Sequence, residues 1–72
     1  MEDKIISFLR RRAYSLGRAV EILESNRNAI EDREDLGGGL RGIFDCIEEA
    51  LSEVKAIRTA IEDKISELEA AL

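Results

Sequence analysis

The stretch Gly37-Gly38-Gly39-Leu40-Arg41-Gly42 divides this 72-residue chain into two arms of nearly equal length. Three consecutive glycines end a helix because they lose the most backbone entropy on ordering and readily adopt positive φ. This spacing predicts a first arm over residues 3–36, a turn at 37–39 and a second arm over 40–72. Two such arms fold back on each other as an antiparallel helical hairpin, which we expect to form one domain over residues 1–72.

The second arm follows a heptad pattern of apolar residues, written with positions a to g. Position d is apolar throughout, at Leu40, Ile47, Val54, Ile61 and Leu68. Position a is apolar at Phe44, Leu51, Ile65 and Leu72 and carries an arginine at Arg58. Position g adds Ile43, Ala50, Ile57 and Ala71, with Lys64 as the exception. A face made of a, d and g residues is wider than the seam of a two-stranded coiled coil, and it favours a bundle of several helices.

The first arm follows the same pattern less regularly. Its d and a positions hold Leu9, Leu16, Leu23, Ile30, Ile6, Ala13, Val20 and Arg27. The segment 25–28, Ser-Asn-Arg-Asn, consists of poor helix formers, and Asn28 with Glu31 matches a capping box. One interpretation is a single helix to about Leu36, followed by Gly37. The alternative is a break and a short extra helix near 29–36.

Folding the chain about the glycine turn predicts which residues of the two arms face each other. The predicted apolar pairs are Leu23 with Ile47, Val20 with Leu51, and Ile6 with Ile65. The same register sets Arg27 near Phe44, and a guanidinium can stack on an aromatic ring. It also sets Arg58 near Ala13 and Gly17, which leave room for a long side chain.

A two-helix hairpin of this size leaves part of its wide apolar face without a partner. The single cysteine excludes an internal disulfide, so association is the remaining route to stability. We therefore predict a homo-oligomer, with a dimer of hairpins forming a multi-helix bundle as the favoured form and a hetero-partner as the rival. The candidate interface residues are Ile5, Phe8, Tyr14, Arg27, Ile43, Phe44, Ile57 and Arg58.

The first arm also carries a cluster of cations. Residues 1–20 hold five cations and two anions, whereas residues 21–36 hold two cations and six anions. Arginine suits bidentate contact with phosphate or carboxylate, so a nucleotide, RNA or an acidic protein is a candidate partner. The candidate anion-binding residues are Lys4, Arg10, Arg11, Arg12 and Arg18. The competing interpretation is pairing with acidic residues near the end of the second arm, and the net charge of −5 opposes non-specific duplex binding.

Composition excludes several kinds of chemistry. The absence of histidine excludes His-based acid–base catalysis and most zinc sites, and it leaves Cys46 without a base. The glycine stretch lacks the Lys and Ser or Thr of a phosphate loop. The acidic segment before it lacks the bidentate Glu of a calcium loop. We therefore expect a protein that is not an enzyme and that holds no metal or cofactor.

The N-terminus lacks a signal-peptide pattern, and no apolar run approaches the ~20 residues of a membrane span. A cytoplasmic location without membrane contact is expected. The sequence predicts an all-α, non-enzymatic interaction module that acts through its Arg-rich first helix, a regulator, adaptor or inhibitor of the kind that phages and plasmids encode. The alternative is a symmetric binder of a small anionic ligand, or an RNA-binding hairpin dimer. The architecture resembles small plasmid-encoded RNA-binding hairpin dimers in its fold alone.

Overall fold

The chain folds as two long helices, α1 (Glu2–Glu31) and α2 (Leu40–Ala70), and no strand occurs in the described residues. The computed structural model describes residues 2–33 and 39–72, with side chains from residue 4 onward. Arg10, near the start of α1, pairs with Glu69, near the end of α2, so the helices run antiparallel. The rod measures 54 × 14 × 11 Å over its Cα atoms. The predicted all-α hairpin is therefore confirmed.

The helix α1 continues without a break through residues 25–28. The Asn28 carbonyl accepts a hydrogen bond from the backbone N–H of Asp32 at 3.0 Å, as in an ordinary helical turn. Asn26 turns its side-chain amide back onto the Ile22 carbonyl at 2.8 Å. This local bond satisfies a poor helix former within the helix, so no separate helix begins at Asn28.

The end of α1 differs from the expected boundary. The helix ends at Glu31, earlier than the predicted end of the first arm at residue 36. Residues 34–38 lie outside the described residues, so the predicted role of Gly37 stays a prediction. The helix α2 begins at Leu40, the first residue of the predicted second arm.

The core is a single row of position-a residues. The buried side chains, each between 2% and 8% exposed, are Ile6, Ala13, Val20, Leu51 and Ile65. They include both members of two predicted apolar pairs. The d positions of both helices are only half-buried; they are Leu9, Leu16, Leu23, Ile30, Leu40, Ile47, Val54, Ile61 and Leu68. The two helices are therefore turned so that their a positions meet, and the d positions remain partly open along one side.

The predicted stacking of Arg27 on Phe44 is wrong. The cation over the Phe44 ring is Arg41, whose Cζ lies 5.2 Å from the ring centroid. Arg41 lies three residues before Phe44 on the same helix, so it reaches the ring without crossing between helices. Arg27 instead donates from Nη1 to Glu48 Oε1 across the hairpin at 3.3 Å. A carboxylate within reach is a stronger partner for a guanidinium than a ring face.

Candidate interaction surfaces

One side of the hairpin is closed by ion pairs between position-e residues of the two helices. Arg10 pairs with Glu69, and Lys55 Nζ lies 3.6 Å from Glu24 Oε2. We call this side the charged edge and define it by Arg10, Glu24, Lys55 and Glu69. Because the e positions meet here, the g positions of the two helices meet on the opposite side of the rod.

That opposite side carries most of the large exposed apolar residues. Five of them are between 50% and 57% exposed: Ile5, Phe8, Ile22, Ile43 and Ile57. Ile5, Ile43 and Ile57 occupy position g, whereas Phe8 and Ile22 occupy the neighbouring position c of α1. These five residues, with the half-buried row of d positions beneath them, form what we call the apolar face.

Sequence reasoning missed one member of the apolar face. Ile22 follows the buried Val20 by two residues, just as Phe8 follows the buried Ile6 by two. This repeated two-residue spacing is the signal in the sequence that could have identified Ile22. A stripe at positions c and g is easily overlooked, because the a and d pattern already accounts for an amphipathic helix.

The remaining predicted interface residues lie elsewhere. Phe44 is half-buried, and Arg27 and Arg58 occupy position a between the helices. Tyr14, 72% exposed, lies toward the charged edge, because it lines a groove with Gly17 and Arg58. The structure thus brings together only the apolar part of the predicted interface set.

The candidate anion-binding residues spread around α1. Arg10 is engaged by Glu69, as the internal-pairing interpretation expects. Arg12 lies over the Phe8 ring, with Cζ 5.5 Å from its centroid. The contact of Arg18 is long, with 3.5 Å between its Nη1 atom and Oε2 of Glu21. Within residues 4–33 and 39–72, no ion pair involves Lys4 or Arg11, both of which are exposed.

A groove of about 350 Å³ lies beside Tyr14 on the charged-edge side of the rod. Its walls carry charges of both signs, and the residues important here are Gly17, Arg18, Glu21, Glu24 and Arg58. A volume of a few hundred Å³ is in the range of small-ligand sites. The groove is formed by both helices, so it exists only in the folded hairpin.

Arg58 forms one wall of this groove by lying against Gly17. A Cβ at position 17 would stand 3.4 Å from Arg58 Cζ, so the glycine gives the guanidinium a close approach to the α1 backbone. The predicted room for Arg58 is confirmed here. The Arg58 Nε atom is buried and makes no hydrogen bond; Glu62 Oε2 is 3.6 Å away. The guanidinium is therefore held in position without being fully paired.

Other kinds of site receive little support in the part of the chain that the structure describes. It contains no group of three or more His, Cys, Asp or Glu side chains arranged to hold a metal ion. Neither helix combines the length and apolarity that crossing a membrane requires. Cys46 is exposed, because position c points away from the a row.

Comparison with known proteins gives no functional assignment. The chain matches no protein-family model, no curated protein sequence and no solved structure.

Proposed function

We propose that this chain is a non-enzymatic, homo-oligomeric interaction module in which two hairpins pack apolar face against apolar face as a four-helix bundle. The observation that carries this proposal is the collection of Ile5, Phe8, Ile22, Ile43 and Ile57 on one side of the rod. Scattered exposed apolar residues are normal on protein surfaces, whereas several gathered on one side of both helices indicate a contact surface. Arg12 also lies on this side, where its guanidinium covers the Phe8 ring.

The half-buried d positions support the same conclusion. A hairpin that was complete as a monomer would turn both a and d positions inward, since both rows are apolar. Here the buried side chains all lie at position a, and the d row stays partly open next to the exposed isoleucines. Packing a second hairpin on this side covers both rows at once, as in the core of a four-helix bundle.

The size of the apolar face fits a second copy of this chain. The rod is 54 Å long and 14 Å wide over its Cα atoms. A stable interface buries about 800 Å² of accessible surface per partner, so a partner must cover this face along most of its length. A two-fold arrangement matches the face to one of equal length. It also adds apolar burial to the five buried side chains found among the described residues, a small core for one domain.

In this arrangement, the outer side of α1 remains accessible. It carries Lys4, Arg11 and Arg18 at seven-residue spacing, which places them along one line of the helix. We assign the interaction with an anionic partner to this line. The chain then acts as a regulator, adaptor or inhibitor, with α2 and the apolar face providing the scaffold.

The experiment that tests this proposal is the mass in solution, measured by light scattering on a sizing column between about 5 and 200 μM. We expect a dimer for the wild-type chain and a monomer for Ile57→Glu. The matched control is Ala56→Glu, which adds the same charge one residue away at an exposed position and should remain dimeric. A wild-type monomer across this range, or dissociation by both variants, contradicts the proposal.

A second measurement does not depend on mutating the face. Cys46 lies at position c of α2, near Ile43, and is exposed in the single hairpin. We expect the wild-type thiol to react with a maleimide at least about tenfold more slowly than the thiol of Ile57→Glu, since the partner hairpin covers it. Equal rates argue that this side of α2 is not an interface.

A further inference from the structure

Among the described residues, Tyr14 is the most exposed large hydrophobic side chain, at 72%, and the apolar face does not account for it. It lies on the other side of α1, where it lines the groove that also contains Gly17 and Arg58. A second hairpin on the apolar face leaves this ring in solvent. The place of the ring beside this groove, rather than its exposure alone, is what indicates a ligand.

Tyr14 is also surrounded by arginines. Arg11 precedes it by three residues and Arg18 follows it by four, so both are its neighbours on the helix surface. Arg11 has no ion-pair partner in the described part of the chain, and the contact of Arg18 with Glu21 is long, at 3.5 Å. Exposed pairs of this kind contribute little and are easily exchanged for a better acceptor.

The groove adds a third guanidinium and two carboxylates. Arg58 is held against Gly17 with its Nε atom lacking a hydrogen-bond acceptor. Glu24 is neutralised by Lys55 at 3.6 Å, and Glu21 is free to accept hydrogen bonds when Arg18 turns to a ligand. The site thus offers a ring to stack on, cations for an anion, and acceptors for N–H or O–H groups.

We propose that this groove binds a nucleotide unit. The base stacks on the Tyr14 ring, and the phosphate is held by Arg11 and Arg18. The carboxylate of Glu21 accepts a hydrogen bond from an exocyclic amine or a ribose hydroxyl. Aromatic stacking flanked by cations is the usual way in which proteins hold unpaired nucleotides, because every base has a π-face and every phosphate a charge.

The chemistry fits a single nucleotide unit better than a duplex. Only Lys4, Arg11 and Arg18 share one line of α1, whereas the chain as a whole carries a net charge of −5, which repels a long polyanion. A duplex also hides the base faces that Tyr14 would need to contact. The unit has two possible sources, a free nucleoside diphosphate or one residue of a single-stranded RNA.

This inference deepens the proposed function, since it names the anionic partner of the outer side of α1, and it rests on that side remaining accessible in the dimer. The probes are ADP, followed by calorimetry, and a labelled ten-nucleotide single-stranded RNA, followed by fluorescence anisotropy. Binding of either probe at low salt is the expected result. Binding of both identifies the unit itself as sufficient, and binding of the RNA alone identifies the strand as the source.

The variants isolate the ring from the charges. Tyr14→Ala is expected to weaken binding about tenfold or more, whereas Tyr14→Phe keeps the stacking and should stay within about twofold. Arg18→Ala should weaken RNA binding and lower the salt dependence of log K by about 0.7. Arg41→Ala removes an exposed cation far from the groove and should leave binding unchanged.

The proposal is overturned if neither probe binds the wild-type chain, or if Tyr14→Ala binds as well as wild type. It is also overturned if a duplex of equal length binds as tightly as the single strand, because stacking on Tyr14 is then not used. The mass of each variant is recorded in parallel. A monomer that binds the probe contradicts the proposed assembly and leaves the groove standing, and a dimer that fails to bind does the reverse.

Discussion

The charged edge and the apolar face are built from the same two helices, yet different forces act on them. On the charged edge, long side chains pair across the hairpin, as Arg10 does with Glu69. On the apolar face, the exposed large apolar side chains are four isoleucines and Phe8, and position g there also holds Arg12 and Lys64. Exposed ion pairs contribute about 0–1 kcal/mol each, whereas burying an isoleucine contributes about 1.5–3 kcal/mol. The charged edge therefore contributes little to the stability of the hairpin. The apolar face would contribute more if it were buried, but it is exposed in the single hairpin.

What the charged edge provides instead is register. Glu24 lies opposite Lys55, and the position-e residues one heptad before and after Lys55 are Glu48 and Glu62. A slip of one heptad in either direction sets two glutamates against each other, which is unfavourable. A seam of apolar residues alone tolerates such slips, because after a slip each apolar side chain again faces an apolar side chain. The charged edge thus selects the alignment of the two helices, whereas the buried residues at position a stabilise it.

The largest effect should come from the row between the two sides. Leu51 is the most buried residue, at 2% exposed, and Leu51→Ala should lower the free energy of unfolding by about 2–5 kcal/mol. Urea unfolding followed by circular dichroism measures this change. Ser52→Ala, at the adjacent exposed position, is the control and should change stability by less than about 0.5 kcal/mol. A small effect at Leu51 means that the a row is not the core.

Dilution should separate the apolar face from the charged edge. If the apolar face is buried in a dimer, the apparent stability falls by about 1.4 kcal/mol for each tenfold dilution, because unfolding includes dissociation. Thermal melts at several protein concentrations test this expectation. Ile57→Glu should melt at one temperature regardless of concentration. A wild-type melting temperature that does not move with concentration removes the apolar face from the account of stability.

Substitution of Gly17, which contacts Arg58, should change the free energy of unfolding less and should raise it rather than lower it. Gly17→Ala should stabilise the hairpin by about 0.5–1 kcal/mol, because alanine favours the helix more than glycine does. The added Cβ would stand 3.4 Å from Arg58 Cζ, and the flexible end of that side chain can shift by a few tenths of an ångström. Urea unfolding provides the measurement. Destabilisation shows instead that the close approach of Arg58 outweighs helix propensity.

The smallest effect should belong to the charged edge itself. A double-mutant cycle of Glu24→Gln and Lys55→Gln should give a coupling of about 0.2–1 kcal/mol that decreases with added salt. The 3.6 Å separation and the partial exposure of both side chains keep this value low. Thermal melts at low and high salt measure the cycle. A coupling well above 1 kcal/mol reverses the comparison, with the charged edge contributing stability as well as register.

Part of the candidate site can be predicted from the sequence alone. Ile5, Ile43 and Ile57 followed from the width of the apolar pattern, and the notch for Arg58 at Gly17 followed from the register. The pattern of a, d and g positions does not include Ile22, because this residue lies at the neighbouring position c. The sequence pattern groups Tyr14 with the interface, because a sequence shows that a residue is off the seam without showing on which side it lies.

The sequence by itself determined the hairpin. Glycines that interrupt a heptad pattern, and a seven-residue repeat of apolar side chains, are local features, so they specify two helices and their pairing without reference to the rest of the fold. The tertiary structure decided how each helix is turned about its axis. That rotation depends on many weak contacts acting together across the hairpin, among them Arg27 with Glu48 and Arg58 against Gly17. Turning toward the a row opened the apolar face on one side and separated Tyr14 from it on the other.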